Sequence, residues 1–210
     1  MTQALSKLVT FEEFIAWKPE DGHYELHDGI IVKMAQPLGG HEDIVGFLAA
    51  EITLEYRRLN LPYSIPKTAL VKPPERDSGY SPDVLLLNRD NLASEPLWKK
   101  ESTVTQGASI PLVIEVVSTN WRDDYHKKYA DYVRVASRRE EIGIPEYWVV
   151  DYLGLGAKKF TGNPKLPTIS IYQLIDEEYQ VTQFRGTNQI ISRNFPELKL
   201  TAQQIFDAAL

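Results

Sequence analysis

Two acidic residues lie in or beside short apolar segments, where an ionised side chain is unfavourable. Glu115 interrupts the apolar run LVIEVV at residues 112–117, and Asp83 follows Pro82 directly before the run VLLL at residues 84–87. A lone carboxylate buried in such a strand destabilises the fold by several kcal/mol unless it is paired or binds a metal. We therefore expect Glu115 to lie near a cation.

A lysine on the following segment is a candidate for that cation. Residues 122–141 have the spacing of a helix, and a projection at about 100° per residue places Lys128 at the edge of its apolar sector. Asp124, Lys128 and Tyr132 follow one another at intervals of four residues, so an acid and a phenol flank the lysine. A surface ion pair between Asp124 and Lys128 is the simpler interpretation if the strand acids are left aside.

Two strand carboxylates and an inward lysine suit the hydrolysis of phosphodiester bonds. Hard divalent cations such as Mg²⁺ bind one or two protein carboxylates, a backbone carbonyl and water, and they hold phosphate oxygens well. A lysine beside them would orient a water molecule or stabilise negative charge that develops at phosphorus.

Composition limits the class of protein. A chain of 210 residues with 43% hydrophobic content can bury one good core, so we expect a single domain over residues 1–210. It has no cysteine, which excludes disulfides and thiolate metal sites and suits a cytoplasmic location.

No segment approaches the roughly 20 apolar residues of a membrane span, so we expect no membrane partner. The net charge of -6 argues against nonspecific coating of nucleic acid, but leaves room for an enzyme with a local basic patch.

The first third of the chain predicts a helix, a hairpin and a longer helix. Thr10 and Glu13 form a capping box before a short helix. Asp28 and Gly29 lie between two apolar runs and form a strong hairpin turn signal. Residues 41–58 predict a long amphipathic helix. Its apolar residues at close to helical spacing are Ile44, Phe47, Leu48, Ile52 and Leu54.

Three short apolar strands and one helix predict the core sheet. The strands cover residues 84–87, 112–117 and 147–150, and the helix at residues 122–141 connects the last two. Strand, helix and strand in succession are typical of a parallel crossover, which favours an α/β or mixed α+β fold. The last part of the chain predicts a C-terminal hairpin and a short helix. These cover residues 169–174 and 179–184 for the hairpin and 201–209 for the helix.

The ordered motifs resemble the PD-(D/E)XK nuclease superfamily. The dipeptide PD at residues 82–83 and EVV at residues 115–117 match its acidic motifs, with Val117 where the superfamily's lysine usually stands. The whole chain resembles one branch, the Uma-type restriction endonucleases. The further matches are YEL and DG on the first hairpin, YSPDV at residues 80–84, D-x-x-x-K-x-x-x-Y at residues 124–132 and GIPEYWVVD at residues 143–151.

The resemblance implies a restriction-endonuclease-like core. This core is a mixed central β-sheet flanked by helices, with an N-terminal β-hairpin and a C-terminal hairpin. The resemblance is good over about residues 10–155 and loose beyond them, so that residues 156–210 are expected to form a β-rich extension of the single domain.

The resemblance also implies roles for individual residues. Asp83 and Glu115 would bind Mg²⁺ or Mn²⁺ together with the backbone carbonyl of Val116. Lys128 would be the catalytic lysine, moved from the strand to the helix, and the helical projection indicates the same lysine. Glu25 matches the family's acid on the first hairpin and would reach the metal or a bound water; an ion pair within the hairpin is an equally good interpretation.

Several further residues are weaker candidates. His41 opens the long helix after two glycines and could meet a phosphate, with capping or packing as the alternative. Tyr132 and Asp124, beside Lys128, are candidates for substrate contact. His23 and His27 on the tight hairpin are interpreted as polar surface and not as a zinc pair.

These observations lead to one hypothesis and two alternatives. The hypothesis is a Mg²⁺- or Mn²⁺-dependent endonuclease that cuts DNA as a homodimer, because two strands call for two active sites. One alternative is a non-catalytic module for nucleic-acid binding or dimerisation on the same fold, which the net acidity favours. The other is a metal-dependent hydrolase of small phosphate esters.

Overall fold

The computed structural model describes residues 8–19, 21–118 and 142–209 of the chain. Its helices are α1 (Phe11–Trp17), α2 (Gly39–Arg58), α3 (Trp98–Glu101), α4 (Lys158–Thr161) and α5 (Ala202–Asp207). Its strands are β1 (Tyr24–His27), β2 (Ile30–Lys33), β3 (Tyr63–Ser64), β4 (Leu70–Val71), β5 (Val84–Asn88), β6 (Thr103–Val104), β7 (Leu112–Val116), β8 (Glu146–Asp151), β9 (Thr168–Ile175) and β10 (Glu178–Phe184). The helix predicted at residues 122–141 lies outside the described residues. In the described ranges, no helix combines the length and the apolar character that crossing a membrane requires.

A six-stranded mixed sheet forms the centre of the fold. Its strand order is β10-β9-β8-β7-β5-β3, and two small two-stranded sheets, β1-β2 and β4-β6, accompany it. Within the large sheet β7 and β8 run parallel, whereas the other neighbouring strands are antiparallel. This arrangement confirms the predicted mixed sheet flanked by helices.

Both faces of the sheet are buried, each in its own apolar cluster. On one face Ile114 of β7 packs with Ile44 and Leu48 of α2. On the other face Val113 packs with Leu85 and other buried residues. Because successive side chains of a strand point to opposite faces, a strand covered on both sides must be apolar at nearly every position. This explains the continuous apolar runs in the sequence and makes Glu115 the exception within β7.

The N-terminal elements form where local signals predict them. Thr10 Oγ1 accepts the backbone N–H of Glu13, and the Glu13 carboxylate accepts that of Thr10, which completes the capping box of α1. The turn between β1 and β2 has φ of 49° at Asp28 and 78° at Gly29. Two positive φ angles in succession are what a two-residue hairpin turn requires, so the Asp-Gly signal is confirmed.

The long helix α2 begins two residues before its predicted start. Its buried side contains Ile44, Leu48 and Ile52, which are four residues apart and face the sheet. Leu54 is 64% exposed, so its assignment to the apolar side was wrong. It lies two residues beyond Ile52, about 200° around the helix axis, and therefore points away from the core.

The C-terminal hairpin is confirmed and joins the central sheet. Strand β10 pairs antiparallel with β9 along the whole of β10, and β9 also pairs with β8. The predicted last helix is α5, which Thr201 and Gln204 begin with a second capping box.

A buried carboxylate ties the chain after β10 to strand β8. Glu146 is fully buried, and its Oε2 accepts the backbone N–H of Arg193 at 2.7 Å and that of Asn194 at 3.2 Å. Its Oε1 accepts the indole N–H of Trp148 at 2.6 Å. Burial raises the pKa of Glu146, while these hydrogen bonds oppose that shift. All of these partners are hydrogen-bond donors, so residue 146 must present acceptor oxygens to them.

We expect Glu146→Gln to destabilise the protein by about 2–3 kcal/mol, because the new amide group places an N–H against a buried N–H donor. Urea unfolding would measure the difference. Glu178→Gln on the exposed face of β10 is the control and should change the free energy of unfolding by less than about 0.5 kcal/mol. Equal stability of the two variants would contradict this account of Glu146.

Candidate active site

The two strand acids line a single cavity at one end of the central sheet. Asp83 directly precedes β5 and Glu115 lies near the end of β7, and because these strands are antiparallel the two positions meet at the same end. The cavity has a volume of about 450 Å³. Its polar lining includes Glu25, His41, Ser81, Asp83, Glu115 and Ser118, with Val116 beside them.

The register of β5 and β7 brings the acids together. Val84 pairs with Ile114 and Leu85 with Val113, so the same register continued by one residue places Asp83 opposite Glu115. Residues directly opposite in an antiparallel pair point to the same face. The Asp83 carboxylate also reaches the neighbouring strand, where its Oδ2 accepts the backbone N–H of Val116 at 2.7 Å. The predicted proximity of Asp83, Glu115 and Val116 is therefore present in the structure.

The two acids differ in their exposure to water. Glu115 is 1% exposed, whereas the side chain of Asp83 is 24% exposed. Glu115 thus lies at the buried end of the pair and Asp83 at the open end. A substrate that enters the cavity would meet Asp83 first.

His41, in the first turn of α2, lies beside Asp83 in this cavity. It is 6% exposed, and its Nε2 lies 3.4 Å from Asp83 Oδ2, while its Nδ1 lies 3.3 Å from Glu42 Oε1. Burial alone would lower the pKa of His41, but the hydrogen bonds and charges of Asp83 and Glu42 outweigh it and raise the pKa above its usual value. The sequence indicated a helix start at His41 but held no signal for its contact with Asp83. Its role in substrate binding stays a prediction.

Glu25 on β1 forms the hairpin contact that was the alternative to metal binding. It is fully buried, and its Oε2 accepts a hydrogen bond from His27 Nε2 at 2.8 Å. Its Oε1 accepts the backbone N–H of Ser81 at 3.0 Å. Burial lowers the pKa of the nearby Lys18 ammonium, and the charge of Glu25 opposes that shift. Glu25 lines the same cavity as Asp83, and its role as a metal ligand stays a prediction.

His27 is not a surface residue, and the interpretation of it as polar surface was wrong. It is 3% exposed, and its ring packs edge-on against Tyr80 with 5.1 Å between the ring centroids. The turn is hydrogen-bonded to the chain just before Tyr80: the Asp28 N–H donates to Ser78 Oγ at 3.0 Å, and the Gly29 N–H donates to the Asp77 carbonyl at 2.7 Å. His23, one residue before the strand, is exposed as expected.

Two lysines concern this cavity, and the structure describes one of them, Lys67. Lys128, with its neighbours Asp124 and Tyr132, lies outside the described residues, so its predicted role is neither supported nor opposed by the geometry. Within the described part of the cavity lining, Lys67 is the one lysine or arginine. Its side chain is exposed to water.

The oxygen donors in the cavity fit a hard divalent cation. Such ions are commonly held by one or two carboxylates, a backbone carbonyl and several waters. Asp83 and Glu115 supply the two carboxylates of such a set, and Val116 lines the same cavity. Over residues 8–19, 21–118 and 142–209 no group of three or more His, Cys, Asp or Glu is arranged to hold a metal ion.

Comparisons with known proteins agree with this architecture. The family model described as "Uma2: Putative restriction endonuclease" matches residues 11–203. A solved structure described as a "putative nuclease belonging to DUF820 from Anabaena variabilis ATCC 29413" is similar with a TM-score of 0.69 and 15% sequence identity. The similarity covers 96% of this chain and 99% of that one, which at this identity establishes a shared fold. No curated protein matches the chain.

We expect Asp83→Asn to lower the pKa of His41 in the metal-free protein, because the variant removes the stronger of the two charges that favour the imidazolium. Proton NMR titration of the His41 ring in EDTA should give a wild-type midpoint above the ordinary value of about 6.5. Glu42→Gln should lower the midpoint less. An unchanged midpoint in Asp83→Asn would contradict the contact between His41 and Asp83.

Proposed function

The chain belongs to the Uma2 family, and we propose that it is a metal-dependent endonuclease that hydrolyses phosphodiester bonds in DNA. The family match over residues 11–203 confirms the resemblance seen in the sequence. The observation that carries the proposal is the juxtaposition of Asp83 and Glu115 in one cavity at the end of the sheet. The family description and the nuclease-like fold neighbour support a nuclease function in general terms.

We assign Asp83, Glu115 and the Val116 carbonyl as the ligands of Mg²⁺ or Mn²⁺. Such a cation, when bound, activates a water molecule and neutralises charge on phosphate oxygens. The backbone N–H of Val116 orients Asp83 by holding its Oδ2 at 2.7 Å. His41 holds the same oxygen from the side of α2. These contacts limit the motion of the exposed acid before substrate arrives, which favours a defined donor geometry.

Cationic side chains complete the proposed reaction. Lys128 is proposed to orient the attacking water and to stabilise the negative charge that develops on the phosphoryl oxygens. Lys67, an exposed residue of the cavity lining, is suited to contact a phosphate of the DNA backbone. Because the net charge is -6, binding to DNA must depend on such local positive groups. His41, Tyr132 and Asp124 are the further candidates for substrate contact.

A DNA substrate has consequences for the oligomeric state of the protein and for its location in the cell. Cleavage of both strands of a duplex calls for two sites related by a two-fold axis, so we propose a homodimer. A cytoplasmic location suits an enzyme that acts on DNA and a chain without cysteine.

The size of the cavity favours one alternative function. Sites for small molecules commonly have volumes of about 300–1,000 Å³, and this cavity of about 450 Å³ falls within that range. A metal-dependent hydrolase of small phosphate esters would use the same two acids. The substrate distinguishes the two functions, because a small ester occupies the cavity alone whereas DNA must also contact its rim.

We expect the purified protein to nick and cut plasmid DNA with Mg²⁺ or Mn²⁺ and to be inactive in EDTA. Glu115→Gln and Lys128→Ala should each lower the rate by about 100-fold or more, because the first removes a carboxylate ligand of the metal and the second removes the positive charge that acts on the reacting phosphate. Glu178→Gln and Lys99→Ala change the same residue types at exposed positions outside the cavity and should retain activity.

Other outcomes of this experiment would identify the alternatives. Equal cutting by wild type, Glu115→Gln and Lys128→Ala would contradict the assigned roles. A protein that leaves plasmid intact but hydrolyses bis(p-nitrophenyl) phosphate with Mn²⁺ would be a hydrolase of small esters. A protein that hydrolyses neither and still binds DNA would be a non-catalytic module.

A further inference from the structure

We propose that Glu25 and His27 are positioning residues that hold the Ser81–Pro82–Asp83 turn in the geometry needed for metal binding. This inference rests on the proposed metal site at Asp83 and Glu115. It assigns His27 a role in that site and makes Glu25 act through the backbone of Ser81.

The first hairpin is hydrogen-bonded to the chain that leads to Asp83. The backbone N–H of Leu26 donates to the Gly79 carbonyl at 2.9 Å, and the N–H of Gly79 donates to the Leu26 carbonyl at 2.8 Å. In an antiparallel pair of this register the next mutually hydrogen-bonded residues would be Tyr24 and Ser81. The N–H of Ser81 donates instead to the Glu25 side chain at 3.0 Å. Glu25 thus provides the last hydrogen bond of this pairing before the turn.

The position of Ser81 is transmitted to Asp83 through a stiff segment. Pro82 has a fixed φ and no N–H, so the backbone between Ser81 and Asp83 has little freedom and no other donor. Beyond the proline, the Asp83 carboxylate is held by the N–H of Val116. The turn is therefore fixed at one end by the hairpin through Glu25 and at the other end by β7.

His27 fixes the orientation of the Glu25 carboxylate. The two residues are two apart in β1 and share a face of the strand, and His27 Nε2 donates to Glu25 Oε2 at 2.8 Å. The imidazole is held in turn by its edge-on contact with Tyr80. Tyr80 is hydrogen-bonded to Val71 through both its N–H and its carbonyl, at 3.0 and 2.8 Å. The histidine thus packs on a rigid part of the chain directly before Ser81.

A positioning role and a ligand role for Glu25 differ in their consequences. Loss of a metal ligand at a site with two or three protein donors removes binding. Loss of a residue that orients a ligand commonly weakens metal affinity by about 10- to 100-fold and leaves the site in place. A role in stability alone would lower the melting temperature without changing the affinity for metal at temperatures where the variant is folded.

The test is calorimetric titration of the metal-free full chain with MnCl₂, at a temperature well below the melting transition of each variant. We expect His27→Phe, which keeps a ring against Tyr80 but lacks the donor, to raise the Kd about 10- to 100-fold with one ion still bound. His27→Gln, whose amide N–H can replace Nε2–H, should restore most of the affinity. Glu25→Leu, which has no acceptor for the Ser81 N–H, should weaken binding to a similar extent, and the double variant with His27→Phe should be little worse than either single variant.

A control variant and a hydrogen-exchange measurement show whether a change in Kd comes from the contact between His27 and Glu25. Glu12→Gln, at an exposed position of α1, should leave the Kd unchanged. Hydrogen exchange of the Ser81 amide should be faster in metal-free His27→Phe than in wild type, because Glu25 has lost the contact that orients it.

Four results decide the proposal. It is overturned if Glu25→Leu removes binding as completely as Glu115→Gln, since Glu25 would then be a ligand. It is also overturned if neither Glu25→Leu nor His27→Phe changes the Kd. A wild-type protein that binds no Mn²⁺ overturns both this proposal and the metal site. A wild-type protein that binds Mn²⁺ with the expected variant effects but cuts no DNA supports the positioning role and contradicts the endonuclease proposal alone.

Discussion

The antiparallel pairing of β5 with β7 is the constraint on which the site depends. It brings Asp83, from the chain before one strand, opposite Glu115 near the end of the other. The hydrogen bond from the Val116 N–H to Asp83 then fixes the exposed acid across the same pair of strands. A shift of one residue in this register would turn one of the two acids to the opposite face of the sheet.

The rest of the fold isolates this polar site within an apolar core. The strands β7 and β8 are buried along their whole length, and apolar clusters cover both faces of the sheet. Two acids in such surroundings need polar neighbours, and these come from elements outside the sheet. The first turn of α2 supplies His41, and the N-terminal hairpin supplies Glu25 and, through it, His27. The hairpin and α2 thus supply polar side chains around the two acids at the end of the sheet.

Local signals in the sequence predicted the helices, strands and turns well. Contacts between residues far apart in the chain could not be predicted from it. The Asp-Gly turn and the capping box of α1 are encoded within a few residues and were correct. The hydrogen bond between Glu25 and Ser81 joins residues 56 apart, and no periodic pattern records such a contact. Asp83 and Glu115 could be predicted as candidates because acids stand out in apolar runs and because the motifs resemble a nuclease family. His27 was misjudged because a tight turn suggests exposure, and only the packing against Tyr80 shows that it is buried. Lys128 stays a prediction from helical spacing and resemblance.

Anomalous diffraction from a crystal grown with MnCl₂ would show whether Asp83 and Glu115 share one divalent cation. We expect a single strong anomalous peak within about 2.5 Å of an oxygen of each carboxylate and of the Val116 carbonyl. A peak elsewhere, such as at His41 and Glu42, or no peak in the cavity at saturating Mn²⁺, would contradict it.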